Sequence, residues 1–137
     1  MARSVVLWDV GGTLLDYDMS EEEFARQCIE TAGIDPNDLP EENYSEATDL
    51  LKEYQESWRT LDEEEAGYVE LARVLLRGSA ASPDQIRQVG KRCADYFKIF
   101  APIPGVQHIL NELRVAGVTQ AVISNWPPSL PNLLAYH

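Results

Sequence analysis

Asp9, Ser124 and Asn125 are the residues of this 137-residue chain best suited to chemistry, and each follows a short apolar, β-rich run. Val5-Val6-Leu7-Trp8 leads into Asp9 and then Val10-Gly11-Gly12-Thr13-Leu14, while Thr119-Gln120-Ala121-Val122-Ile123 leads into Ser124-Asn125. A carboxylate beside a hydroxyl and a side-chain amide suits phosphoryl transfer. Asp9 would attack phosphorus and form an aspartyl-phosphate. Backbone N–H groups around Gly11, Gly12 and Thr13, with Ser124 and Asn125, would hold the phosphate oxygens. Mg²⁺, held by one carboxylate and a backbone carbonyl with waters completing its octahedron, would neutralise charge. A second reading makes Asp9 only a turn-former ahead of two glycines.

This chemistry needs the two run ends side by side. Apolar runs closed by turn signals read as strands buried on both faces, the kind found in parallel sheets. Two such strands joined through a helix follow βαβ grammar, and a right-handed crossover brings their carboxyl ends to one sheet edge. Here the crossover is long. Ser20 to Phe100 reads as four helices covering that edge. Ser20 and Glu23 form a capping-box pattern ahead of Phe24, Cys28, Ile29 and Ala32. A second helix is expected from about Glu41 to Thr60, and the stripe Tyr44, Ala47, Leu50, Leu51, Tyr54 and Trp58, running on to Leu61, reads as the inner seam of a bundle. Asp62 starts a third helix, where Glu63, Glu64 and Glu65 read as a solvated acidic first turn, ahead of Tyr68, Leu71, Ala72 and Leu75. Ser82-Pro83-Asp84-Gln85 opens a fourth, burying Ile86, Val89, Cys93, Tyr96 and Phe97. Pro102-Ile103-Pro104-Gly105 is a rigid turn, Pro104 begins a helix that carries Val106, Ile109, Leu110 and Leu113 and ends at Gly117, and Leu130 to Tyr136 begins another.

With 11 basic and 23 acidic residues the formal charge is −12, which argues against nucleic acid and anionic membranes as partners. No apolar run approaches a membrane span, and the strand follows Met1-Ala2-Arg3-Ser4 without room for a signal peptide. Cys28 and Cys93 read as small hydrophobes in a reduced cytoplasm. His108 and His137 are too few and too scattered for a triad or metal cluster.

Asp9-Val10-Gly11-Gly12-Thr13-Leu14 resembles the first motif of the haloacid dehalogenase (HAD) superfamily, and Val122-Ile123-Ser124-Asn125 is similar to the second. The helices between fit that superfamily's inserted α-helical cap, and Pro102-Ile103-Pro104-Gly105-Val106 its re-entry into the core. The resemblance covers essentially the whole chain. It implies an α/β fold: an incomplete Rossmann-like parallel sheet (residues 1–16 and 101–137) with a four-helix cap (17–100). It also implies a Mg²⁺-dependent hydrolase of phosphatase type, acting on a small phosphorylated metabolite through Asp9, with Asp9 and the Gly11 carbonyl as a partial Mg²⁺ site.

The chain departs from the family pattern twice. Gly11 stands where phosphatases of the family carry a second aspartate as general acid/base, a loss worth about 10²–10⁴-fold. Asp16 would need a sharp bend to replace it. That substitution favours a rival, non-catalytic binding or regulatory protein of the same fold. Phosphonate-cleaving relatives place a small residue here and use a cap lysine, for which Lys52 is the candidate although its position reads as solvated; haloacid hydrolysis is a further outside reading. The family's third and fourth motifs, a basic residue and metal-binding acids, have no counterpart after Asn125, so the chain reads as a truncated or naturally short form, inactive or nearly so alone. Two strands leave sheet edges open, so self-association is expected.

Overall fold

The computed structural model describes residues 4–137; the lead-in at residues 1–3 and the side chain of Phe97 lie outside the described residues. The chain runs β1 (Val5–Trp8), β2 (Leu15–Tyr17), α1 (Glu21–Thr31), α2 (Glu41–Ser57), α3 (Leu61–Leu75), α4 (Pro83–Cys93), β3 (Phe100–Pro102), α5 (Val106–Val115), β4 (Thr119–Val122) and α6 (Leu130–Tyr136), with 3-10 turns at Pro36–Asp38 and Ala94–Ile99. It is an α/β architecture, mostly helical, with a small parallel sheet. β1 and β4 pair parallel, from Val5 opposite Thr119 to Trp8 opposite Val122, as the β-rich runs predict.

Three of the four helices between the strands begin where side chains satisfy their orphan N–H groups; α2, which follows Pro40, has no such cap. Ser20, Thr60 and Ser82 each accept from the N–H three residues on, and Glu23, Glu63 and Gln85 reach back to complete capping boxes. Such caps contribute about 1 kcal/mol each. Helix α2 stops at Ser57, three residues before the predicted end, and the cause is Trp58. Its backbone turns extended and its indole enters the core at 7 % exposure. Gly67 of α3 makes room: a Cβ there would stand 2.3 Å from the indole ring. From Trp58 the aromatic packing continues through Tyr68 and Tyr96 to Phe100 and Trp126, with neighbouring ring centres 4.8–6.4 Å apart. The buried apolar residues form one cluster, reaching from Val10 and Leu14 through the helices to Leu133.

The structure departs from what the sequence predicts at three points. β1 is not buried on both faces, for Val5 is 55 % and Leu7 60 % exposed. The pleat sends Val6 and Trp8 the other way, and only that side is covered. There the Trp8 Nε1 donates to Gln120 Oε1 (3.0 Å), and Gln120 Nε2 donates to the Leu110 carbonyl of α5 (2.9 Å). Second, Leu15–Tyr17 is a strand, antiparallel to β3 with Tyr17 opposite Phe100. Three residues are too few to show an alternation, but the pair ties together the two chain segments that enter and leave the helices. Third, α5 starts at Val106 rather than Pro104, because Gly105 caps it in the left-handed region (φ 87°).

Candidate active site

The parallel register extends one residue past β1. The Ile123 N–H donates to the Trp8 carbonyl at 2.8 Å, so Asp9 and Ser124 leave the same end of adjacent strands. Asp9 and Asn125 are exposed and Ser124 is half-buried. Among the described residues, the Asp9 carboxylate has no hydrogen-bond or ion-pair partner. Leu7 and Val10 hold it between an exposed strand and a fully buried anchor.

The loop after Asp9 is a tight turn built on one carbonyl. Val10 O accepts from the N–H groups of Thr13, Leu14 and Leu15 at 3.2, 2.9 and 3.0 Å, and Gly12 N–H donates to Leu15 O at 2.8 Å. The amides of Gly12 and Thr13 are therefore committed within the turn, while the Gly11 amide donates to no acceptor among the described residues. Gly12 sits at φ +72°, where a side chain would be strained. Gly11 does not. A Cβ on it would meet only the Trp126 ring, at an ordinary 3.5 Å.

Beyond Asn125 the loop is fixed by packing and by one carboxylate. Trp126 stacks on Tyr96 (centroids 6.0 Å, 16° between planes) and meets Phe100 edge-on at 4.8 Å. Three residues later, Ser129 donates its N–H to Glu64 Oε2 (2.8 Å) and its hydroxyl to Glu64 Oε1 (2.7 Å). Glu64 is thus not part of a solvated acidic turn; it is 3 % exposed. Burial raises its carboxyl above the usual range, and the two bonds from Ser129 offset part of that rise. The signal was present in the spacing: Glu64 precedes Tyr68, Leu71 and Leu75 on one helical stripe, which is an interior position.

Asp16 and Lys52 do not join Asp9. The Asp16 carboxylate accepts from the N–H of Tyr17 (2.8 Å) on the antiparallel β2–β3 pair. Lys52 is 71 % exposed and stands 3.8 Å from Asp49. It lines a groove of about 460 Å³ with Gln55, Glu56, Trp58, Arg59, Asn125 and Trp126. Sequence reasoning passed over Arg59, a loop residue outside every motif.

Among the described residues no three His, Cys, Asp or Glu side chains gather in a metal-binding group. Asp9, exposed and unpaired, with the Gly11 carbonyl beside it in sequence, supplies two oxygen donors. That set fits a magnesium ion keeping most of its waters and shared with a substrate phosphate, not one caged by protein. Among the described residues no helix is long and apolar enough to cross a membrane.

No family model and no curated protein matches the chain. Among solved structures it is similar to a crystal structure titled as a predicted phosphoglycolate phosphatase from Haemophilus somnus 129PT, at 20 % identity and a TM-score of 0.43. The match covers 98 % of this chain and 56 % of that one, so this chain spans about half the length of that protein.

Proposed function

We propose that this chain is the nucleophile-bearing part of a HAD-like hydrolase, with a helical cap (17–100) over a Rossmann-like core (1–16 and 101–137), and that it acts on a small phosphorylated metabolite in a reduced cytoplasm. The observation that carries this reading is the parallel register of β1 and β4, which sets Asp9 and Ser124 at one edge of one sheet. In the proposed reaction Asp9 Oδ attacks phosphorus, the ester oxygen leaves, and water then hydrolyses the aspartyl-phosphate. The Ser124 hydroxyl, the Asn125 amide and the Gly11 N–H orient the phosphate oxygens. A magnesium ion held by Asp9 and the Gly11 carbonyl would supply charge neutralisation. Gly11 offers no proton to the leaving oxygen, so turnover is slow.

The same glycine supports a second reading, a non-catalytic relative that binds a phosphorylated ligand in the cleft. Phosphate release from phenyl phosphate, measured with and without Mg²⁺ on the chain and on Asp9→Asn, separates the two. Slow Mg²⁺-dependent release that vanishes in Asp9→Asn supports the hydrolase. Phosphate binding without release supports the binding protein. Turnover undiminished in Asp9→Asn, or neither turnover nor binding, overturns the assignment of Asp9.

The bare face of β1 and β4, where Val5, Leu7 and Ile123 are exposed, supports self-association of the chain as written.

A further inference from the structure

We infer that the cleft between α1 and α2 binds a small uncharged molecule, an apolar body with one hydroxyl or carbonyl oxygen that pairs with the Tyr68 hydroxyl. The cleft follows from how the helices pair. Helix α1 packs on α4 and α2 on α3, while α1 and α2 make little contact with each other. The packed pair α3 and α4 forms the floor, where Tyr68, Leu71, Leu75, Cys93 and the following Tyr96 are all buried. The α1 and α2 side is the mouth. Glu21, Glu22, Phe24, Thr48 and Leu51 border it and keep part of their surface in solvent. No residue of β1, β4 or the loops carrying Asp9 and Ser124 borders this space, so it is separate from the strand edge.

Tyr68 is what marks this floor as a ligand site. The residue is 2 % exposed, and its hydroxyl has no hydrogen-bond partner among the described residues. A buried O–H left unmade is costly, so a molecule that brings an oxygen to it recovers free energy that the chain alone does not. The hydroxyl lies on the cavity side: Tyr96, Cys93 and Glu21, three of the groups acting on it electrostatically, all border the cavity, and Glu64 lies one turn earlier on α3. Charge then selects the ligand. No Lys, Arg or His borders the cavity, and Glu21 and Glu22 at its mouth repel anions. Arg26 beside the mouth is committed to Glu22 (2.9 Å) and Glu41 (2.7 Å) and lies over the Tyr44 ring at 4.1 Å. A cation reaching the floor would lose its water and meet no carboxylate there. The enclosed volume is about 60 Å³, about twice a water molecule's share of the liquid. It admits the oxygen-bearing end of a short molecule, whose carbon chain would lie in the mouth beside Phe24 and Leu51. Water is held in such a space by about two to four polar partners, and this floor offers one buried unpaired atom.

The test titrates the chain with 1-butanol, and with butyrate and n-butylammonium as charged probes of the same chain length, followed through the methyl resonances. 1-Butanol is expected to shift Ala47, Leu71 and Leu75 saturably, and both charged probes to bind at least about 10-fold more weakly. Tyr68→Phe keeps the ring and removes only the unpaired hydroxyl, so it is expected to fold unchanged. Its affinity for 1-butanol should fall about 3- to 10-fold, the worth of one hydrogen bond. Ala25→Leu, at a half-buried position of α1 on the cavity wall, should abolish the shifts by filling the space. The inference is overturned by the absence of saturable shifts at Leu71 and Leu75, or by shifts confined to the exposed Leu7. Equal binding of the charged probes, or an unchanged affinity in Tyr68→Phe, overturns it as well. Each of these outcomes leaves the assignment of Asp9 where it stands.

Discussion

Glu64 of α3 and Ser129 at the head of α6 meet through two hydrogen bonds, 2.8 and 2.7 Å, across 65 residues of sequence. With the Ile123 N–H on the Trp8 carbonyl, this contact fixes both ends of the loop that carries Ser124 and Asn125. One end is tied to the sheet, the other to the helices. The position of the proposed phosphate-binding residues is therefore set jointly by the two parts of the chain.

Ser129→Ala removes the hydroxyl bond to a buried carboxylate and leaves Glu64 poorly satisfied. The expected cost is about 1.5–3 kcal/mol, read as a lowered midpoint in urea unfolding. A change within a few tenths of a kcal/mol would show that the contact does not form in solution.

Because burial raises the Glu64 carboxyl above its unfolded value, the folded chain binds this proton more tightly than the unfolded chain does. The group therefore favours folding in acid, and this contribution is lost as pH rises from the ordinary carboxylate range through the raised value. Glu64→Gln does not titrate. The stability of the native chain relative to Glu64→Gln should fall as pH rises through that window, measured by unfolding at a series of pH values. A difference that grows in favour of the native chain would contradict the burial argument.

Gly67→Ala puts a Cβ 2.3 Å from the Trp58 indole. Overpacking of this kind typically costs about 1–3 kcal/mol, and Trp58 fluorescence should shift as the ring is displaced. An unchanged emission and midpoint would mean that the indole does not lie over α3.

Gly11→Asp should be accommodated, since the backbone at Gly11 needs no positive φ and the new Cβ would make only ordinary contact with Trp126. It supplies the acid/base group that the site lacks, and the expected gain in Mg²⁺-dependent phosphatase turnover is about 10²–10⁴-fold. A stable variant with no gain would count against the hydrolase and for the binding protein.

Leu7→Lys places a charge on the exposed face of β1. Sedimentation of the native chain should be concentration-dependent, and this variant should sediment as a monomer. Identical behaviour of the two would remove the case for association through the sheet.

Much of this arrangement was legible in the sequence where one local pattern dominates. The β-branched runs before Asp9 and Ser124 gave parallel strands, and Ser20 and Ser82 marked their helices through capping chemistry. What was missed depends on distant partners. Glu64 sits in an acidic run that looks solvated until α6 is folded against it. The three-residue strand at Leu15 has no periodicity of its own and exists through Phe100–Pro102. The exposure of Val5 and Leu7 follows from how many elements cover the sheet, which no local window contains. Gly12 and Thr13 fit the motif by type, but their amides were already spent within the turn, a detail that only the Val10 carbonyl reveals.

The central claim is that Asp9 receives a phosphoryl group beside Ser124 and Asn125. Beryllofluoride with Mg²⁺, followed by ¹⁹F resonance together with the backbone amide signals of the chain, tests it most directly. The account predicts a bound fluoride signal and shifted Gly11, Ser124 and Asn125 amides in the native chain, all absent in Asp9→Asn. A bound signal that survives in Asp9→Asn, or none in the native chain and in Gly11→Asp, would contradict it.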